Sequence, residues 1–324
     1  MHRGQRRAIT LALALFAQLV LPAAHAEDYP SRPVHIIAGF IPASAADITA
    51  RVLGQRMGQT LRQQFVIENK PGAGSSLAAE YAARAPKDGY TLFVGSSANI
   101  TNQAINPGLA FDMAKDFAPI ALATTVPIIL VVHPSAGINS VQELIALAKA
   151  KPGEVLYAST GVGTAPHLSG ELLAMRAGVK LVHVPYQGSP QAVTDLLAGR
   201  TAMMFSPASA VVSHFASGKL RALASAAAKR PSIAADLPTM AEAGMPDFDT
   251  SIWFGLMAPA GTPREVVDKL ARAAAEALTS NEVLAALHPQ GFDALSGGPD
   301  DFAAIIGREI KRWGEVAQAA GLKK

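Results

Sequence analysis

The 324-residue chain has no cysteine, 28 basic and 25 acidic residues, and a composition that is 50% hydrophobic but only 6% aromatic. The lack of cysteine excludes disulfides, thiolate metal sites, a cysteine nucleophile and a lipidated cysteine anchor. Three of the arginines (Arg3, Arg6 and Arg7) lie in the first 26 residues, so the rest carries 25 basic and 25 acidic residues. A balanced charge argues against nucleic acid as a partner.

Residues 1–26 have the pattern of a secretory signal peptide. The three arginines precede an apolar core at 8–21, which is followed by the cleavage pattern Ala24-His25-Ala26. That core is too short to span a bilayer, and no other apolar stretch is long enough. We therefore expect cleavage after Ala26 and a protein that is free in a bacterial periplasm.

The chain after the signal predicts three βα units in succession. Apolar runs at 34–38, 65–68 and 91–94 are predicted strands, and each ends in a loop of small residues. Strands that alternate with helices indicate a doubly wound parallel sheet, whose ligands bind outside the carboxyl ends of the strands.

Two extended segments predict crossings between two lobes. Residues 118–132 are extended and interrupted by Pro127, and residues 249–257 carry Trp253 and are predicted to return the chain. We expect lobe 1 at 27–126 and 251–324, and lobe 2 at 127–250. The C-terminal part is predicted helical, with a capping box at 262–265 and Pro263 at the first helical position.

The segment 156–200 predicts strand, loop, helix, strand, loop and helix. The loop at 159–163 contains two glycines and precedes Thr164, which is expected to cap a helix. A second loop at 185–188 precedes Ser189, expected as another cap. Each loop would present unpaired N–H groups at a helix N-terminus, where the macrodipole favours an anion. Locally, a tight turn and a ligand contact explain Gly161 and Gly163 equally well.

Six sequence blocks carry a resemblance to a known family: YPSRP at 29–33, ENKPGAG at 68–74, KDGYTL at 87–92, VHVPYQG at 182–188, DLLAG at 195–199 and APAGTP at 258–263. They resemble the Bug family, the periplasmic solute-binding receptors of tripartite tricarboxylate transporters. The resemblance implies an α/β fold of the periplasmic binding protein type II architecture, with two Rossmann-like lobes joined by two crossing strands. It also implies a small organic acid whose carboxylate is held by loop amides and helix N-termini of both lobes.

Carried over block by block, the resemblance assigns ligand contacts to four loops and one strand end. The first loop, 40–47, departs from the family because its glycines are replaced by Ala43, Ser44 and Ala45. Ser206 stands where the family commonly has an aspartate, which argues against an amino-acid ligand. The expected ligand-binding residues are Phe40, Pro42, Ala45, Ala46, Asp47, Ser96, Asn99, Ser159, Thr160, Gly163, Thr164, Ala165, His167, Tyr186, Gln187, Gly188, Phe205 and Ser206.

Several of these residues also have a purely structural interpretation. His167 fits a capping or core role as well as a ligand contact, and Tyr186 could pack. Asp47 fits a helix-start carboxylate better than a contact to an acid, whose charge it would repel. The cleft loops contain no lysine or arginine, so backbone amides and hydroxyls would have to hold the ligand's charge. A mono- or dicarboxylate with an apolar body is expected.

Other functional classes lack support in the sequence. The eight histidines show no metal-ligand spacing, and there is no nucleophile elbow and no phosphate-loop lysine, so we expect no enzyme, metal or cofactor. A regulator's effector domain would need a DNA-binding module where the signal stands. A ligand-sensing periplasmic receptor without transport remains an alternative, and after it an exported enzyme whose site is assembled from residues distant in sequence. The expected partners of this monomer are an organic acid and the membrane subunits of a transporter.

Overall fold

The structure is a computed structural model that describes residues 29–186, 188–319 and 321–322. The predicted signal peptide and Gln187 lie outside the described residues. The described residues from 32 onward form one compact unit. Among the described residues, no helix combines the length and apolarity needed to cross a bilayer.

The described chain contains eleven strands, most of which are followed by a helix. They are β1 (Val34–Ala38), β2 (Phe65–Asn69), β3 (Thr91–Ser96), β4 (Phe117–Val126), β5 (Ile128–Val132), β6 (Val155–Ser159), β7 (Leu181–Pro185), β8 (Met203–Pro207), β9 (Arg221–Ser225), β10 (Ile252–Pro259) and β11 (Asp293–Gly297).

The α-helices of the described chain follow the same order. They are α1 (Ala45–Leu61), α2 (Ser76–Ala83), α3 (Ser97–Ile105), α4 (Val141–Ala150), α5 (Ala165–Ala177), α6 (Ser189–Leu197), α7 (Ala208–Val211), α8 (Arg264–Thr279), α9 (Asn281–Leu287) and α10 (Pro299–Ala319).

The strands form two sheets, in agreement with the predicted α/β class. The first sheet has the order β11-β4-β10-β3-β1-β2, and the second has the order β7-β6-β8-β5-β9. Strand β1 pairs in parallel with β2 and β3, which confirms the predicted βα units. Strand β10 is antiparallel to both β3 and β4, so the first sheet is mixed.

The chain passes from the first sheet to the second at Pro127, between β4 and β5, and returns before β10. Strand β5 is a continuous apolar run with all five residues buried, because it lies between β8 and β9 with both faces covered. Strand β10 lies between β3 and β4 and is buried over seven of its eight residues. Both crossings therefore lead directly into central strands.

Three of the predicted helix caps differ in detail. Helix α6 is capped by Gly188, whose φ of 154° suits glycine, so Ser189 is the first helical residue instead of the cap. Thr164 occupies the cap position of α5, but its hydroxyl donates to the Gly161 carbonyl (2.7 Å). Pro263 is the cap of α8, and the Thr262 hydroxyl donates to the Pro259 carbonyl, so the predicted capping box is wrong.

Candidate ligand-binding site

A cavity of about 380 Å³ lies at the carboxyl ends of β1, β3 and β6, between helices that follow strands of both sheets. None of the described residues that line it is charged. The lining comprises Phe40, Ser44, Ala45, Ala46, Gly74, Ser96, Ser97, Ala98, Thr101, Asn102, Thr160, Val162, Gly163, Thr164, Ala165, Pro166, Thr250, Ser251, Ile252, Phe254 and Trp313.

The N-termini of α1, α3 and α5 meet at this cavity. Each contributes its cap and its first two helical residues to the lining, with the caps being Ser44, Ser96 and Thr164. The first N–H groups of a helix have no acceptor within the helix, so this surface offers hydrogen-bond donors and positive dipole ends. We call the first-turn residues Ala45, Ala46, Ser97, Ala98 and Ala165 the amide wall.

The local sequence pattern placed the starts of α5 and α6 side by side, and the family resemblance added the loops that lead into α1 and α3. Gly188 and Ser189 at the start of α6 do not line the cavity. Helices α1 and α3, which follow strands of the first sheet, approach α5 instead. The approach is close at Gly163, where a Cβ would lie 2.9 Å from Ile105 Cδ1 at the end of α3.

Eight of the predicted contact residues line the cavity, because they lie at or next to the N-terminal ends of helices that meet there. They belong to the loop-to-helix junctions that converge there: Phe40, Ala45, Ala46, Ser96, Thr160, Gly163, Thr164 and Ala165. They remain predicted ligand-binding residues.

The predicted contacts Asp47 and Asn99 instead stabilise the loops. Asp47 is 2% exposed, and Asp47 Oδ2 accepts from Arg51 Nε (2.9 Å) and from the Ala43 amide (2.9 Å). Burial opposes ionisation, but these donors and Asn69 hold the pKa of Asp47 below its usual value. Asn99 Oδ1 accepts from the Ser96 amide (3.0 Å) at the start of α3. Neither side chain lines the cavity, and the oxygens of both accept hydrogen bonds from other groups of the protein.

Two histidines support the loop between β6 and α5 from behind. The Gly163 amide donates to His167 Nδ1 (3.0 Å), and Ser159 Oγ lies 2.6 Å from His183 Nε2. The two imidazole rings stack with centroids 3.9 Å apart. Burial lowers the pKa of both histidines to about 4. His167 and Ser159, both predicted contacts, therefore position the loop and do not line the cavity.

The remaining predicted contacts also have structural partners. Tyr186 donates its hydroxyl to Asp195 Oδ2 (2.7 Å), which ties the loop after β7 to α6. Phe205 is fully buried and stacks on Phe248 at 5.6 Å. Ser206 is fully buried and donates to the Pro207 carbonyl (3.3 Å). Pro42 is exposed outside the lining and Gly188 caps α6, so these five residues do not line the cavity.

Residues from β10, from the two positions before it and from α10 line the cavity and were not among the predicted contacts. Thr250, Ser251, Ile252, Phe254 and Trp313 form what we call the β10–α10 wall. The alternation of a strand could have indicated that Ile252 and Phe254 share one face, with Trp253 on the other. Trp253 indeed packs edge-on against Phe302 at 5.2 Å, outside the lining. No local signal indicates Trp313, which lies on the last helix.

A larger depression, of about 760 Å³, lies beside β9 and is lined by residues such as Phe215, Arg221 and Asp236. The described residues that line this depression include no N-terminus of an α-helix. The smaller cavity is therefore the better candidate for binding an anion.

Comparisons with known proteins identify the family of the chain. Residues 49–322 match the model of the tripartite tricarboxylate transporter family receptor. Protein BugT of Bordetella pertussis is 37% identical over 300 residues, which cover 92% of each chain.

Two solved structures extend the comparison to bound ligands. R. palustris Rpa4515 with adipate is 35% identical, covers 91% of this chain and 99% of its own, and superimposes with a TM-score of 0.76. MatC from Rhodopseudomonas palustris with bound malate is 32% identical, covers 89% of this chain and 99% of its own, and has a TM-score of 0.73. The chain belongs to the Bug family of tripartite tricarboxylate transporter receptors.

Proposed function

We propose that the chain is a periplasmic receptor that captures a small organic acid in the 380 Å³ cavity and delivers it to the membrane subunits of a tripartite tricarboxylate transporter. The convergence of three helix N-termini on one cavity without a charged lining residue carries the proposal. Such amides hold a carboxylate without a lysine or arginine. A binding role without catalysis, metal or cofactor fits this chemistry.

The same proposal includes export to the periplasm with cleavage after Ala26, and a mature protein that is a monomer. The family's receptor role and the signal pattern of residues 1–26 support it. N-terminal sequencing of the protein from the periplasmic fraction should begin at Glu27. An intact Met1 on protein found in the cytoplasm would contradict export.

We propose that two lobes close over the ligand. Lobe 1 comprises residues 27–126 and 251–324, and lobe 2 comprises residues 127–250. The cavity lining supports this, because Ala45 and Ser97 belong to the first of these segments and Thr160 and Ala165 to the second. A ligand that binds both lobes favours the closed state through its differential affinity. Small-angle scattering should therefore show a smaller radius of gyration at saturating ligand, and an unchanged radius with a bound ligand would contradict closure.

The amide wall can be tested by removing one N–H group at a time. Proline is tolerated at the first helical position, and Ser44 already has the extended conformation (φ −72°, ψ 163°) that a following proline requires. Ala45→Pro should therefore keep α1 and delete one donor. Since a hydrogen bond to a charged group contributes roughly 1.5–3 kcal/mol, carboxylate binding should weaken by roughly 10-fold to 100-fold.

Asn281→Pro is the matched control, because Asn281 is the exposed first residue of α9 and its cap Ser280 is also extended. A thermal-shift screen of organic acids would identify a ligand, and calorimetry would then compare the variants. Unchanged affinity in a folded Ala45→Pro protein would show that α1 does not hold the carboxylate.

A further inference from the structure

The β10–α10 wall differs chemically from the amide wall, because its N–H groups are already bonded inside the protein. The Ser251 amide donates to Asp249 Oδ1 (3.0 Å), and the Thr250 amide donates to the Ala226 carbonyl (2.8 Å). Trp313 Nε1 donates to Glu309 Oε2 (2.6 Å). These groups cannot serve a ligand oxygen unless an internal hydrogen bond breaks.

Two carboxylates lie directly behind this wall. Asp249 accepts from the backbone of a lining residue, and Glu309 accepts from the indole of another. Arg312 Nη2 lies 2.6 Å from Glu309 Oε1 and balances one of the two charges. Among the described residues, no cation lies within ion-pair distance of Asp249. Burial raises the pKa of Glu309, and the negative charge of Asp249 acts in the same direction.

The potential at the β10–α10 wall is therefore unfavourable for an anion. The rest of its surface is mostly carbon, from Ile252, Phe254 and the buried Trp313. Its remaining polar groups are the hydroxyls of Thr250 and Ser251, of which the Thr250 hydroxyl already accepts from Ser169 Oγ (2.7 Å). At the amide wall the nearby carboxylate is Asp47, which is neutralised by Arg51 and also bonded by Asn69. Only the amide wall combines open donors with a compensated charge.

We infer that the ligand has one carboxylate, bound at the amide wall, and an uncharged, apolar body that packs on the β10–α10 wall. This rests on the proposed function and narrows its ligand from organic acids in general to apolar monocarboxylates. A second carboxylate would lose its hydration in exchange for no more than the hydroxyls of Thr250 and Ser251, and it would face the charge of Asp249.

The test compares hexanoate with adipate, which have the same chain length and differ by one terminal carboxylate. Calorimetry on the purified protein at pH 7.5 should give at least tenfold tighter binding for hexanoate. Asp249→Asn keeps an oxygen that can accept from the Ser251 amide but removes the charge. We expect it to reduce the hexanoate preference at least threefold, mainly through tighter adipate binding.

Glu315→Gln is the matched control, because Glu315 is an exposed carboxylate on α10 that does not line the cavity. It should leave the preference unchanged. If Asp249→Asn does not fold, Glu309→Gln tests the same wall, since its amide oxygen can still accept from Trp313 Nε1. It removes a negative charge and leaves Arg312 uncompensated, so it should also reduce the hexanoate preference.

The outcomes separate this inference from the proposed function. Adipate binding equal to or tighter than hexanoate binding would overturn the inference and leave carboxylate capture intact. A preference that is the same in the wild type and in folded Asp249→Asn and Glu309→Gln variants would overturn the role of the wall. If no mono- or dicarboxylate binds at all, the proposed function itself fails.

Discussion

The stacked pair His167 and His183 should make the protein lose stability in mild acid. Both imidazoles are neutral in the folded state, because burial lowers their pKa to about 4 from the ordinary value of 6.5. The unfolded chain takes up protons below pH 6.5, whereas the folded chain does so only near pH 4. The free energy of unfolding should therefore fall as the pH falls from 6.5 towards 4.

The magnitude follows from the shift at His167, whose side chain is 4% exposed. A change in pKa from 6.5 to about 4 lowers the free energy of unfolding by about 2 kcal/mol between pH 7.5 and pH 5. His183 adds a smaller loss because it is only half-buried. For a domain of this size, 2 kcal/mol corresponds to a melting temperature lower by roughly 4 °C.

The assay is thermal unfolding, followed by circular dichroism, at half-unit steps from pH 7.5 to pH 5. His167→Gln should flatten the pH dependence, although it also lowers stability at pH 7.5 by disturbing the bond from the Gly163 amide (3.0 Å in the wild type). His288→Gln, at an exposed histidine, should leave the wild-type profile unchanged. A profile for His167→Gln as steep as that of the wild type would refute the argument.

Two further predictions concern loops at either side of the cavity. Ala43 has a φ of 63°, a left-handed conformation that costs a residue with a Cβ roughly 1–2 kcal/mol. Ala43→Gly should therefore raise the free energy of unfolding by up to about 1 kcal/mol, once the larger backbone entropy that glycine loses on folding is subtracted. Denaturant titration measures this change, and a decrease in the free energy of unfolding would contradict the prediction. Tyr186→Phe removes the hydroxyl that donates to Asp195 and should cost about 1 kcal/mol of stability. It should leave ligand affinity unchanged because Tyr186 does not line the cavity, and a tenfold weaker affinity would show that it contacts the ligand.

Local sequence predicts much of this structure because strands, loops and helix starts depend on neighbouring residues. The run at 34–38 and the small residues after it predict β1 and its loop, and Ser44 caps α1 by accepting from the Asp47 amide. The interruption at Pro127 marks the first crossing for the same local reason, since proline cannot continue a strand ladder. The family resemblance also arises from contiguous blocks.

The tertiary structure decided which helix starts meet, because the two sheets are brought together by contacts that are distant in sequence. The local pattern paired α5 with α6, which are adjacent in the chain, whereas the cavity is lined by the starts of α1 and α3, which follow strands of the first sheet, together with α5, which follows a strand of the second. The tertiary structure also decided that His167 Nδ1 accepts a hydrogen bond from the Gly163 amide and is therefore not available to a ligand. Hydrogen-bond partners of this kind cannot be predicted from the sequence, because they depend on distances between atoms in the folded chain.

The β10–α10 wall shows the same division most clearly. Trp313 lies on the last helix, far in sequence from every loop of the amide wall, and its local pattern indicates only a buried helix face. Strand β10 inserts between β3 and β4, which aligns Phe254 with Ser96 at the start of α3. Sequence alone therefore predicts that backbone amides at helix starts bind an anion. Only the packing of β10 and α10 against those amides decided what surrounds the rest of the ligand, because that surface is assembled from segments that no local interaction connects.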